Sequence, residues 1–154
     1  VGAGAIGLTT AITAQRLGLN VVIYAQDRFP DVRSARATGT WSPHSRIAMD
    51  GAVDAGFADR WERMARRSWA LHQAYLGRAG APVAFQERYV LFDAPPERGG
   101  KDRISLPGGG TDTFVDYQAR LADISPRNEP LTADQHPFPV PVARRNVAMN
   151  FNVA

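Results

Sequence analysis

Residues 2–7 read GAGAIG, three glycines in G-x-G-x-x-G spacing at Gly2, Gly4 and Gly7. The segment over 7–17 follows at once with helical period, Ile6, Leu8, Ile12 and Leu17 marking its apolar side and Gly18 its stop. Residues 21–25, VVIYA, form a β-branched run that reads as a buried strand. Asp27 then falls about 20 residues past the last glycine, where a carboxylate accepts hydrogen bonds from ribose hydroxyls. In a dinucleotide-binding turn the first glycine permits the tight bend and the second lets the backbone approach a diphosphate. The third lets the helix pack on its strand, and the helix's first N–H groups face the anion. The alternative is a tight turn whose glycines are only structural. The strand before such a turn needs about five apolar residues, and here only Val1 precedes it. The sequence is therefore expected to be an incomplete domain, part of a longer protein.

Composition narrows the classes. The 154 residues suit one domain of ordinary size, and 44% hydrophobic content can build a core. Net charge is only +3, and Lys101 is the sole lysine among 18 basic residues. The arginines are spread along the chain and form no basic block interleaved with aromatics, which argues against a nucleic-acid partner. The absence of cysteine excludes disulfides, thiolate catalysis and Cys-ligated metals. No apolar run approaches the roughly 18 residues of a bilayer span. A cytoplasmic location without a membrane partner is the expectation.

Further along, residues 29–43 read as an extended loop with at most one short helical turn. Residues 57–75 give the clearest helix, with Phe57, Trp61, Met64, Ser68, Leu71 and Tyr75 on one side. Trp61, Met64 and Trp69 read as packing residues and the face from Arg60 to Arg67 as solvated surface. Residues 83–92, VAFQERYVLF, read as a strand. Residues 93–113 are rich in Pro and Gly and read as a turn-rich excursion. A short helix is expected within 114–121, an irregular connection over 126–141 and a strand over 144–154. The SLPGGGTDT stretch lacks the Lys-Ser/Thr pair of a phosphate-binding P-loop.

The segment after Asp27 distinguishes between dinucleotides. A nicotinamide-type domain continues into another helix and a third strand, whereas RFPDVRSARATGTWSP shows no helix-length period. Arg28 and Arg33 can meet phosphate charge, Ser34 offers a hydroxyl, and Thr38, Gly39 and Thr40 are small enough to lie against a flat ring. That pattern suits a flavin.

GAGAIGL, VVIYAQDRFPDV and SARATGTWSP, in that order and spacing, resemble the N-terminal part of D-amino-acid oxidase-like flavoproteins. The resemblance is looser over the 57–75 helix, VAFQERYVLF, DISPRNEPLTADQHPFP and MNFNVA. It implies an α/β fold: a Rossmann-like FAD-binding segment over 1–82 and the start of a β-rich substrate region over 83–154. By position it implies Gly2, Ala3, Gly4, Ile6 and Gly7 at the FAD diphosphate and Asp27 and Arg28 at the adenosine end. Arg33 and Ser34 would lie along the phosphate and ribityl path, where the family has a Thr pair. Thr38, Gly39, Thr40 and Trp41 would approach the flavin.

The implied activity is oxidative deamination of a small-molecule amino acid or amine by hydride transfer to FAD. The family's carboxylate-clamping Arg and neighbouring Tyr residues lie in its later half, so the resemblance implies no catalytic residue here and an inactive chain in isolation. A homo-oligomer is compatible with it. An NAD-dependent dehydrogenase fragment and a non-catalytic nucleotide-binding module are the competing classes.

Several residues have plainer readings. Trp41 can equally be a buried loop tryptophan. His44 lies near the small-residue loop without a partner at ligand spacing, His72 reads as structural and His136 as exposed. Asp50, Asp54 and Asp59 match no calcium loop, and no metal is expected.

Overall fold

A computed structural model of the chain describes residues 2–37, 39–95, 103–105 and 109–152. Helix α1 spans Ala5–Arg16. It ends as its sequence directs: Gly18 adopts φ +82°, the Gly18 amide donates to Gln15 O (2.9 Å) and the Leu19 amide to Ala14 O (3.1 Å). This left-handed glycine cap satisfies carbonyls that the last turn leaves open. Residues 21–25 differ from expectation. They form no ladder with any described strand, and Val22, Ile23 and Tyr24 are exposed. A β-branched run becomes a buried strand only where a neighbour accepts its backbone bonds, and no described strand lies beside this one.

After a 3₁₀ turn at Arg33–Arg36 and another at Asp50–Ala52, helix α2 runs over Phe57–Gln73. The strands are β1 (Val83–Phe92), β2 (Arg103–Ser105), β3 (Thr111–Thr113), β4 (Glu129–Leu131) and β5 (Val142–Phe151). They make a three-stranded sheet in the order β1-β5-β4 and a two-stranded sheet of β2 and β3. The β4–β5 and β2–β3 pairs are antiparallel. The described residues thus form a mixed helix-and-sheet fold. The 93–113 excursion contains a hairpin where only turns were expected. The 114–121 segment forms a 3₁₀ turn at Gln118–Leu121, and the 126–141 connection holds β4 and a capped 3₁₀ turn at Ala133–Gln135.

The chain divides into two compact units, Val1–Gly39 with Phe151–Ala154, and Thr40–Asn150. In the first, α1 buries only Gly7 and Ala11, and its apolar residues Ile6, Leu8, Ile12 and Leu17 are exposed. In the second, Trp61, Ala65 and Leu121 form a core flanked by Ile47, Phe57, Tyr117 and Ile124. The Trp61 indole donates to Pro43 O (3.0 Å), so its one polar atom is satisfied where the ring is buried. Met64, expected to pack, is exposed.

The arginine face of α2 is more than solvated surface. Arg66 bonds Glu62, Asp123 and Arg120 O, and Arg120 bonds Asp59 and Glu62. Together they tether α2 to the Gln118–Leu121 turn. His136 is buried rather than exposed. Its ring stacks on Phe138 and Nδ1 accepts the Phe138 amide at 3.3 Å.

Candidate functional site

The glycine turn lies in the first unit. Gly4 caps α1 with extended backbone, no side chain of the turn itself caps the helix, and no acidic residue occupies the first turn. The exposed Ala5 amide donates to Ser34 Oγ at 2.9 Å. Thus the 3₁₀ turn after Val32 carries a hydroxyl to the head of α1. A Cβ on Gly4 would sit 3.0 Å from that Oγ, whereas one on Gly2 would meet nothing within 4 Å. The head of the helix therefore combines amide donors, a hydroxyl that can also donate, and open space beside Gly2. Its first turn carries no carboxylate that would repel an anion. These features fit a diphosphate held at a helix N-terminus, the group that FAD would present there.

The other cofactor candidates fall into three sets. Asp27, Arg28 and Arg33 belong to the first unit, Asp27 and Arg28 being exposed, and the Arg28 carbonyl accepts the Asp31 amide at 2.8 Å. Thr38 lies outside the described residues, while the Gly39 carbonyl accepts the Phe151 amide at 2.7 Å. In the second unit, Thr40 Oγ1 donates to Asn150 Oδ1 (2.8 Å) and the Trp41 amide to Met149 O (2.8 Å). The Trp41 indole donates to Ser68 Oγ (3.2 Å) and its ring tilts against Trp69 with centroids 5.0 Å apart. Thr40 and Trp41 are thus fixed by β5 and α2, and they border a narrow crevice shared with His44, Arg88 and Ser125.

His44 and Arg88 also line a second, wider cavity of about 340 Å³, completed by Gln118, Arg127, Asn128, Pro130 and Arg144. His44 Nδ1 lies 3.4 Å from Ser125 Oγ. Burial pushes the His44 pKa below its ordinary value; Asp116 opposes this, and Arg88 and Arg127 add to it. Sequence reasoning did not find this arginine set. Its members are far apart in the chain, and only strand pairing brings them together.

Of the candidate aspartates, Asp54 accepts the Gly56 amide and both Arg60 amino groups, and Asp59 pairs with Arg120 at 2.7 Å. These carboxylates serve as helix and turn anchors. No group of three or more potential metal ligands occurs among the described residues. No helix among them is long and apolar enough to cross a membrane.

A glycine turn opening a helix, with no acid in its first turn and a hydroxyl facing it, is consistent with a nucleotide-binding class of protein. The family comparison is more specific: residues 1–136 match the family model described as FAD dependent oxidoreductase, and the chain belongs to that family, whose cofactor is FAD. No curated protein and no solved structure matches the chain.

Proposed function

We propose that this chain supplies the FAD-binding part of an oxidoreductase that oxidatively deaminates an amino acid or amine, and that it turns nothing over alone. The observation that carries this reading is the acid-free first turn of α1, where the space beside Gly2 is open and Ser34 sets a hydroxyl beside the Ala5 amide. In this reading Gly2, Ala3, Gly4, Ile6 and Gly7 hold the diphosphate in a Rossmann-like turn. Asp27 accepts from the ribose hydroxyls and Arg28 lies at the adenosine end. Arg33 and Ser34 follow the phosphates, and Thr38, Gly39, Thr40 and Trp41 approach the flavin. Bound flavin supplies the electron sink, and the protein supplies placement. Residues 1–82 serve the cofactor and 83–154 begin the substrate region, a functional division distinct from the compact units.

Titration of the chain with FAD and with NAD, followed by thermal unfolding, tests the reading. FAD raises the melting temperature, by about 2.7 kcal/mol of stabilisation at a hundredfold excess over Kd. NAD does so less, and Gly4→Val abolishes the effect. The affinity is weaker than about 1 µM, and no peroxide forms from amino acids or amines. A melt indifferent to FAD, or one shifted more by NAD, overturns the cofactor assignment. Sub-micromolar binding or turnover by the chain alone overturns the division of labour.

A further inference from the structure

The pleat of the three-stranded sheet sorts charge between its faces. On strand β5, Arg144 and Arg145 point to opposite sides because successive side chains alternate. Arg145 stands directly across from Glu129. It pairs with Glu129 at 2.7 Å and with Glu87 at 3.6 Å, so this face is balanced.

Arg144 stands across from Pro130, and both line the 340 Å³ cavity with Arg88 and Arg127. Its guanidinium stacks over Phe92 at 5.2 Å. Arg88 Nε donates to the neutral Asn146 Oδ1 at 3.3 Å. Among the described residues, the only carboxylate paired with a cavity arginine is Asp116, 3.3 Å from Arg127. No carboxylate among the described residues lines the cavity itself. Three guanidinium groups against one carboxylate leave a surplus of two positive charges among the described residues. Gln118, Asn128 and His44 add amide and imidazole hydrogen-bonding groups around the same space.

We propose that this cavity binds a small oxyanion carrying two negative charges, a dicarboxylate or a phosphate monoester. Guanidinium forks match carboxylate and phosphate oxygens two bonds at a time, and the volume suits a small molecule. The proposal does not depend on FAD, since every residue it uses lies in the second compact unit.

The test is calorimetric titration of the 154-residue chain with succinate and, separately, inorganic phosphate at fixed ionic strength. Saturable binding of either probe is expected. Succinate alone identifies a dicarboxylate site, phosphate alone a phosphate site, and both an oxyanion site open to either. Arg88→Gln weakens binding about tenfold or more, while Arg145→Gln, on the balanced face, leaves it unchanged. Arg88 is exposed, so its replacement spares the core, and unchanged circular dichroism verifies that.

A second readout uses the His44 imidazole, which lines the cavity with Arg88 and Arg127 and also feels the charge of Asp116. An anion in the cavity favours the imidazolium, so the His44 titration observed by NMR moves to higher pH when the site is filled. Absence of saturable binding, equal weakening by Arg88→Gln and Arg145→Gln, or a His44 titration unmoved at saturation each overturns the proposal.

Discussion

Ser34 holds the head of α1 from 29 residues away, through the 2.9 Å bond from the Ala5 amide to its hydroxyl. It does the work of an N-cap side chain, which the local sequence withholds by placing Gly4 at that position. Because the amide is exposed, water replaces the lost acceptor in Ser34→Ala. The expected destabilisation is therefore at the low end of the capping range, about 0.5 kcal/mol. Ser34→Thr retains the hydroxyl and most of the bond. If the same hydroxyl meets phosphate, Ser34→Ala also weakens FAD binding by more than the stability loss explains, while Ser34→Thr does not. Urea unfolding and FAD titration of both variants separate the two effects. An alanine variant that binds FAD as the parent does would leave Ser34 a structural cap only. Gly4→Ala reaches the same cap from the other side, since its new methyl crowds Oγ at 3.0 Å and turns the Ser34 side chain away.

The elements of the second unit depend on charge at their ends. Asp54 is held below the usual carboxylate range by its bonds from Arg60, Glu62 by Arg66 and then Arg120, and Asp123 by Arg66. A carboxylate whose folded pKa lies below its unfolded value binds fewer protons when folded. Its stabilisation is therefore complete above the unfolded pKa of about 4 and lost as pH falls through the depressed folded value. The urea midpoint of the chain should hold between about pH 7 and pH 5 and drop below that. Arg66→Gln should lower the plateau and flatten the acid slope, because Glu62 and Asp123 lose their shared partner. A slope unchanged by the substitution would show that these pairs are incidental.

The same elements show what the sequence made legible. Helix α2 carries its signal locally, in the spacing of Phe57, Trp61, Ser68 and Tyr75, although Met64 and Leu71 of the same series are exposed. Strand β1 carries its signal in VAFQERYVLF. Strand β4 is three residues inside a proline-rich run, and only its pairing with β5 makes it a strand. His136 sits in that run as well, and its burial comes from Phe138 rather than from any period. Residues 21–25 carry strand propensity without a neighbour to pair with among the described residues. Likewise, the arginines of the cavity are unremarkable one at a time, because the site exists only in the register that opposes Arg144 to Pro130.

At the scale of the whole molecule, burial is uneven between the two units. The second holds the fully buried Leu121 and Met149. The first leaves Ile6, Leu17, Val22 and Tyr24 each at least three-quarters exposed. Apolar burial of about 25 cal/mol per Å² is the main force holding elements in place, so α1, burying only Gly7 and Ala11, rests on little of it. Local opening free energy follows buried contact. Amide hydrogens in the middle of α1 should exchange within a small fraction of the time needed by those of α2 and β5. FAD should slow exchange at the head of α1 if its diphosphate docks there, since a ligand that binds only the closed form lowers the open population. The oxyanion probe should instead slow exchange around Arg88 and Arg144 without affecting α1. Hydrogen exchange read by mass spectrometry, with each ligand added separately, therefore tests the two sites within one experiment. Protection spread evenly over both units, or α1 amides as slow as those of α2 in the unliganded chain, would mean that exposed apolar surface does not govern where this molecule opens.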